Sequence, residues 1–134
     1  MTVDGGLRPL FREKIPEAHW QPIETDGTGQ GVPDANYCLH GAEGWVEFKQ
    51  TYGYTVGLRP AQIGWILRRS RAGGRVTIAV RQRGMHRDII WILDGARAER
   101  IKKEGLMLEP LLKCENGPSR WDWGTIKTLL SRPL

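Results

Sequence analysis

Apolar and polar positions along the chain switch between a repeat near 3.6 and a repeat of two, and the switches divide it into elements. Leu7–Ile15 predicts a short first helix, with Pro9 tolerated in its first turn and Pro16 marking its end. His19–Glu24 predicts a strand that Pro22 confines to a sheet edge, followed by a glycine-rich turn over Asp26–Gly31. Pro33–His40 and Gly44–Gln50 predict two further strands joined by Gly-Ala-Glu. In the second of these, Trp45, Glu47 and Lys49 fall on one face and Val46 and Phe48 on the other.

Thr51–Gly57 reads as a loop, and Arg59–Ala72 as the clearest helix, with Pro60 in its first turn and Gly73-Gly74 as its stop. Ile63, Ile66, Leu67 and Ser70 share one face of that helix; Gln62, Trp65 and Arg69 line its flank, and Arg68 and Arg71 point away. Arg75–Arg81 and Asp88–Leu93 predict a hairpin linked by QRGMHR, and a helix from Ala96 to Glu104 closes at Gly105. The rest reads as loop until Asp122, an N-cap for a last helix ending near Ser131. The order predicts an α/β protein, a mixed β-sheet flanked by helices, built as a single domain over residues 1–134.

Composition adds few surprises. A chain with 40% hydrophobic and 26% charged residues and no 18-residue apolar stretch is not expected to enter a membrane. The first residues lack the apolar core of a secretory signal, and Cys38 and Cys114 lie far apart, so a reducing, cytoplasmic setting with free thiols is expected. The charge distribution is more informative. Residues 1–47 carry eight acidic and three basic side chains, whereas residues 48–87 carry nine basic ones and no acid. Such a block is either a solvated face or a phosphate-binding surface, and its arginine content suits phosphate. On that reading Arg59, Arg68, Arg69 and Arg71 are the candidate phosphate contacts.

Residues 31–49, GVPDANYCLHGAEGWVEFK, carry the candidate chemistry. Magnesium and manganese take oxygen ligands, typically one or two carboxylates with retained waters. Asp34 and Glu47 offer such carboxylates, and the Phe48 backbone carbonyl a third oxygen. Lys49, one same-face step beyond Glu47, is suited to orient a water or offset developing negative charge. Blander alternatives stand beside this: Asp34 as a strand-start residue, Glu47 with Lys49 as a surface ion pair, and Gln62 as an ordinary first-turn helix residue.

The order of a G-V-P-D strand, an E-F-K strand and a helix opening R-P-A-Q resembles the PD-(D/E)XK nuclease superfamily. It looks closest to small phage nucleases of the Holliday junction resolvase and virus-type replication-repair branches, over roughly Leu7 to Arg81. The resemblance implies a restriction-endonuclease-like αβββαβ core and a Mg²⁺- or Mn²⁺-dependent DNA endonuclease acting on branched or duplex DNA. It further implies that Asp34, Glu47 and Lys49 are catalytic, with Gln62 in support of the lysine or the phosphate. A fourth carboxylate is expected near the N-terminus: Glu13 is the first choice, with Glu24 and then Glu17 as competitors. Junction resolution needs two symmetric cuts, so a homodimer is the matching expectation. The alternative is a catalytically inactive nucleic-acid-binding module of the same fold.

Overall fold

The computed structural model describes residues 4–24 and 31–133. In chain order these form α1 (Leu7–Lys14), β1 (His19–Pro22), β2 (Ala35–Leu39), β3 (Ala42–Thr51) and α2 (Pro60–Arg71). Then follow β4 (Val76–Gly84), β5 (Arg87–Asp94), α3 (Ala98–Glu104), β6 (Leu112–Cys114) and α4 (Trp123–Ser131). The six strands make one mixed sheet in sequential order, with β3 and β4 parallel and every other neighbour antiparallel. A parallel pair needs a crossover, and α2 supplies it. None of the described helices is long and apolar enough to cross a membrane.

Alternation along β3 assigns the two faces. Val46 and Phe48 pack with Leu7 and Phe11 of α1 and Ile126 and Leu130 of α4. On the opposite face, Ile78 and Val80 of β4 pack with Ile66 of α2 and Ala98 and Ile101 of α3, and Trp45 lies against them. Each fully buried Leu, Ile or Phe contributes roughly 1.5–3 kcal/mol, so both layers hold the sheet. The ends of α4 are tied in by polar groups. Asp122 caps its start by accepting from the Thr125 N–H at 3.0 Å, and Arg75 donates to the Leu129 carbonyl at 3.2 Å and to the Arg132 carbonyl.

Three sequence expectations change. The β2–β3 connection is His40-Gly41 rather than Gly-Ala-Glu: both residues have positive φ, 51° and 82°, as a tight two-residue hairpin turn requires, so Ala42 and Glu43 belong to β3. The QRGMHR linker contracts in the same way to Met85-His86, because Gln82, Arg83 and Gly84 continue the ladder against Ile89, Asp88 and Arg87. Finally, Leu112–Cys114 pairs with β5 as a sixth strand; at three residues it is too short to show an alternating pattern. The expected Asp26–Gly31 turn falls outside the described residues, apart from Gly31.

Candidate active site

The site forms where β2 stops short of β3. On its β2 side β3 is paired only as far as Val46, opposite Ala35, while on its β4 side it stays paired through Thr51. Residues 47–51 therefore border a notch in the sheet. Asp34, just before β2, fills its edge. One carboxylate oxygen, Oδ2, accepts the Phe48 N–H at 2.8 Å, replacing the backbone partner that a longer β2 would have supplied. The N–H and C=O of a strand residue point the same way, so the Phe48 carbonyl also faces this notch.

Both flanking helices deliver their first turns here. From α1, the Arg8 guanidinium reaches Asp34 Oδ1 at 3.3 Å. From α2, Gln62 accepts the Arg59 N–H at 2.9 Å through Oε1 and donates through Nε2 to Glu47 Oε2 at 3.0 Å. Lys49 Nζ lies 3.1 Å from Gln62 Oε1 and 3.3 Å from Glu47 Oε2. Gly31 makes the approach to α2 possible: its φ is 75°, and a Cβ there would lie 2.0 Å from the Ala61 carbonyl oxygen. A pocket of about 510 Å³ opens over these groups, lined by Asp4, Arg8, Asp34, Glu47, Phe48, Lys49, Arg59 and Gln62.

The electrostatics are those of two neighbouring carboxylates taken out of water. Burial pushes the Glu47 carboxyl up to about 7, and the neighbouring Asp34 charge adds to the rise despite the opposing pull of Lys49. Burial also raises Asp34, against the Phe48 N–H and the Arg8 and Lys49 charges. Glu47 Oε1 is buried and has no hydrogen-bond donor among the described residues. A buried carboxylate oxygen without a donor is costly. Two carboxylates and a backbone carbonyl fit a small hard cation that keeps several of its waters. Among the described residues no group of three or more His, Cys, Asp or Glu side chains forms a fuller metal cage.

The sequence-expected residues divide clearly. Asp34, Glu47, Phe48, Lys49, Gln62 and Arg59 are brought together. Glu13 is not: it is exposed on α1, about 200° around the helix from the buried Phe11, and it does not line the pocket. Glu24 is exposed as well, and Glu17 pairs with Lys127 at 2.8 Å. The N-terminal carboxylate that does line the pocket is Asp4, whose side chain accepts the Gly6 and Arg8 N–H groups as α1 begins. The available signal was an Asp placed just before a helix, as N-cap residues are. Arg8 was also missed, one turn farther on.

The basic block is likewise dispersed. Arg81 is buried and binds Asp88 through two hydrogen bonds of 2.8 and 2.7 Å, and Arg75 is buried against α4. Arg69 shares the Gln62 face of α2 but stacks on Trp45 and Trp65, with its guanidinium carbon 5.2 and 4.7 Å from their ring centres. Arg71 lies on the far side of α2 from Gln62, 3.9 Å from Glu99. Arg68 is exposed near the C-terminal end of α2, away from the pocket. No protein-family model matches this chain, and no curated protein matches it.

Proposed function

We propose that the protein is a metal-dependent phosphodiester hydrolase acting on DNA, with the restriction-endonuclease-like αβββαβ core that its resemblance to PD-(D/E)XK nucleases implies. The observation that carries this reading is the buried, donor-free Glu47 Oε1 beside Asp34, in a pocket that also holds Lys49. Asp34, Glu47 and the Phe48 carbonyl would hold Mg²⁺ or Mn²⁺. Such an ion, when bound, polarises a phosphoryl oxygen and makes an attacking water more acidic.

The chain's own groups account for the rest. Gln62 donates to Glu47 Oε2 and accepts from Lys49 Nζ, which holds the lysine at the pocket wall. From there the ammonium can orient a water or offset charge on the phosphoryl oxygens. Arg59 and Arg8 add fixed positive charge on either side of the pocket, where a DNA backbone would lie.

A second reading, a nucleic-acid-binding module without catalysis, is favoured by one observation: Arg8 already pairs with Asp34, and Lys49 with Glu47. On this reading the protein's own cations neutralise the two carboxylates, and the pocket takes up no divalent ion. The deciding experiment is cleavage of four-way junction, flap, single-stranded and linear duplex DNA with Mg²⁺ or Mn²⁺, wild type beside Glu47→Gln. Metal-dependent cuts lost in the variant support the hydrolase; DNA binding with no cleavage and no divalent-ion binding supports the module.

A further inference from the structure

The loop over residues 52–58 is bracketed by the pocket. It begins three residues after Lys49, about 10 Å along the strand, and ends at Arg59. Tyr52 and Tyr54 on this loop are 52% and 47% exposed. Exposed aromatic rings are common on mobile loops, but this backbone is held at three successive carbonyls. Arg87 donates to Tyr52 O at 2.5 Å, the buried Gln82 to Gly53 O at 2.7 Å, and the Leu106 N–H to Tyr54 O at 2.8 Å. Beyond the rings, Val56 and Leu58 anchor the loop in the core.

The surroundings are cationic and apolar. The Arg87 guanidinium lies 5.4 Å from the Tyr54 ring centre, and the adjoining β4–β5 turn exposes Met85. The whole segment from Phe48 to Arg87 lacks an acidic residue, and Asp88, the first acid after it, is occupied by Arg81. Exposed aromatic rings on an anchored backbone, with the Arg87 guanidinium against one of them, match the requirements of single-stranded nucleic acid, whose bases offer open faces for stacking and whose phosphates need countercharge. Fully paired duplex offers no such base faces, because its bases are stacked on one another.

On the basis of the hydrolase reading above, we infer that Tyr52 and Tyr54 form a stacking platform for unpaired bases next to the scissile phosphate. The substrate is then single-stranded DNA, or a duplex carrying an unpaired stretch. Holding the loop backbone in advance reduces the ordering cost of binding. This positions DNA across the β3 and β4 ends and the start of α2, rather than along the Arg68–Arg71 end of that helix.

The test is binding of labelled oligothymidine, and of a fully paired duplex of equal length, in EDTA so that nothing is cut. Wild type is compared with the Tyr52→Ala/Tyr54→Ala and Tyr52→Phe/Tyr54→Phe double variants, each checked for an unchanged melting temperature. Each lost ring is expected to weaken oligothymidine binding about tenfold, with duplex binding little affected and the Phe variant near wild type. Equal weakening on both DNAs, or none on either, overturns the platform. So does an Ala variant that binds DNA normally but sediments as a smaller species than wild type, which makes the patch an interface between copies. Because binding is read without metal, ring-dependent binding by a protein that cuts nothing would sink the hydrolase reading and leave the platform standing. Glu47-dependent cleavage with ring-independent binding would do the reverse.

Discussion

Glu47 and Gln62, fifteen residues apart in sequence, meet at 3.0 Å through a buried amide–carboxylate hydrogen bond. The same glutamine side chain reaches Lys49 and closes the first turn of α2 on the Arg59 N–H. One residue thus couples the start of a helix to two groups on the neighbouring strand. Gln62→Leu removes all of these bonds and leaves the Glu47 carboxylate with Lys49 as its remaining partner. We expect a loss of about 1–3 kcal/mol, read as a lower denaturation midpoint with an unchanged slope. A variant as stable as wild type would show that the amide is incidental.

The raised Glu47 and Asp34 carboxyls make metal-free stability depend on pH. A carboxyl whose folded pKa is raised favours the folded state while protonated. Its contribution is complete below the ordinary value of 4.5 and is lost as pH rises through about 7. Thermal melts in EDTA should therefore show stability falling between pH 5 and pH 8, by at most about 3 kcal/mol from Glu47. Saturating Mn²⁺ should flatten that slope, since a bound cation favours the ionised form, and Glu47→Gln should flatten it without metal. A metal-free profile that rises over this range would contradict the assignment.

Lys49 shares hydrogen-bond distance with Gln62 and ion-pair distance with Glu47, so its charge acts at the pocket wall. Lys49→Met should lower cleavage by about 100-fold or more while leaving divalent-ion binding intact or tighter. Calorimetric titration with Mn²⁺ beside a cleavage time course separates the two effects. Weakened metal binding that matches the lost activity would instead give the lysine a purely structural role.

Arg8 pairs with Asp34 at 3.3 Å, so a divalent ion held by Asp34 would have to compete with the guanidinium for that carboxylate. Breaking a partly exposed ion pair costs on the order of 1 kcal/mol, so Arg8→Met should tighten Mn²⁺ binding by roughly threefold to tenfold. Glu13→Gln, on the outer face of α1, should change neither metal binding nor cleavage. If Arg8→Met left the Mn²⁺ dissociation constant unchanged, Asp34 would not be a ligand.

What the sequence determined by itself was whatever depends on neighbours in the chain. Helical spacing, Pro60 and the Gly73-Gly74 stop delimited α2; alternation placed Glu47 and Lys49 on one face of β3; Asp122 marked the start of α4. The residues 31–49 were legible as one chemical unit because strand, turn and strand are contiguous. The tertiary structure decided everything that rests on registry between distant segments. Ending β2 opposite Val46 creates the notch that Asp34 fills, and no local pattern sets that length. The turn of α1 about its own axis chose Arg8 over Glu13, because Leu7 and Phe11 must be buried and a helix can bury only one face, and Asp4 joins Arg8 from just ahead of the helix. Charge behaved in the same way. The basic block was visible as composition, but hydrogen-bonding demand drew Arg75 and Arg81 inward, and aromatic stacking held Arg69. Which cations face a ligand depends on which carbonyls, carboxylates and rings the fold brings to them first, and those partners lie far away in sequence.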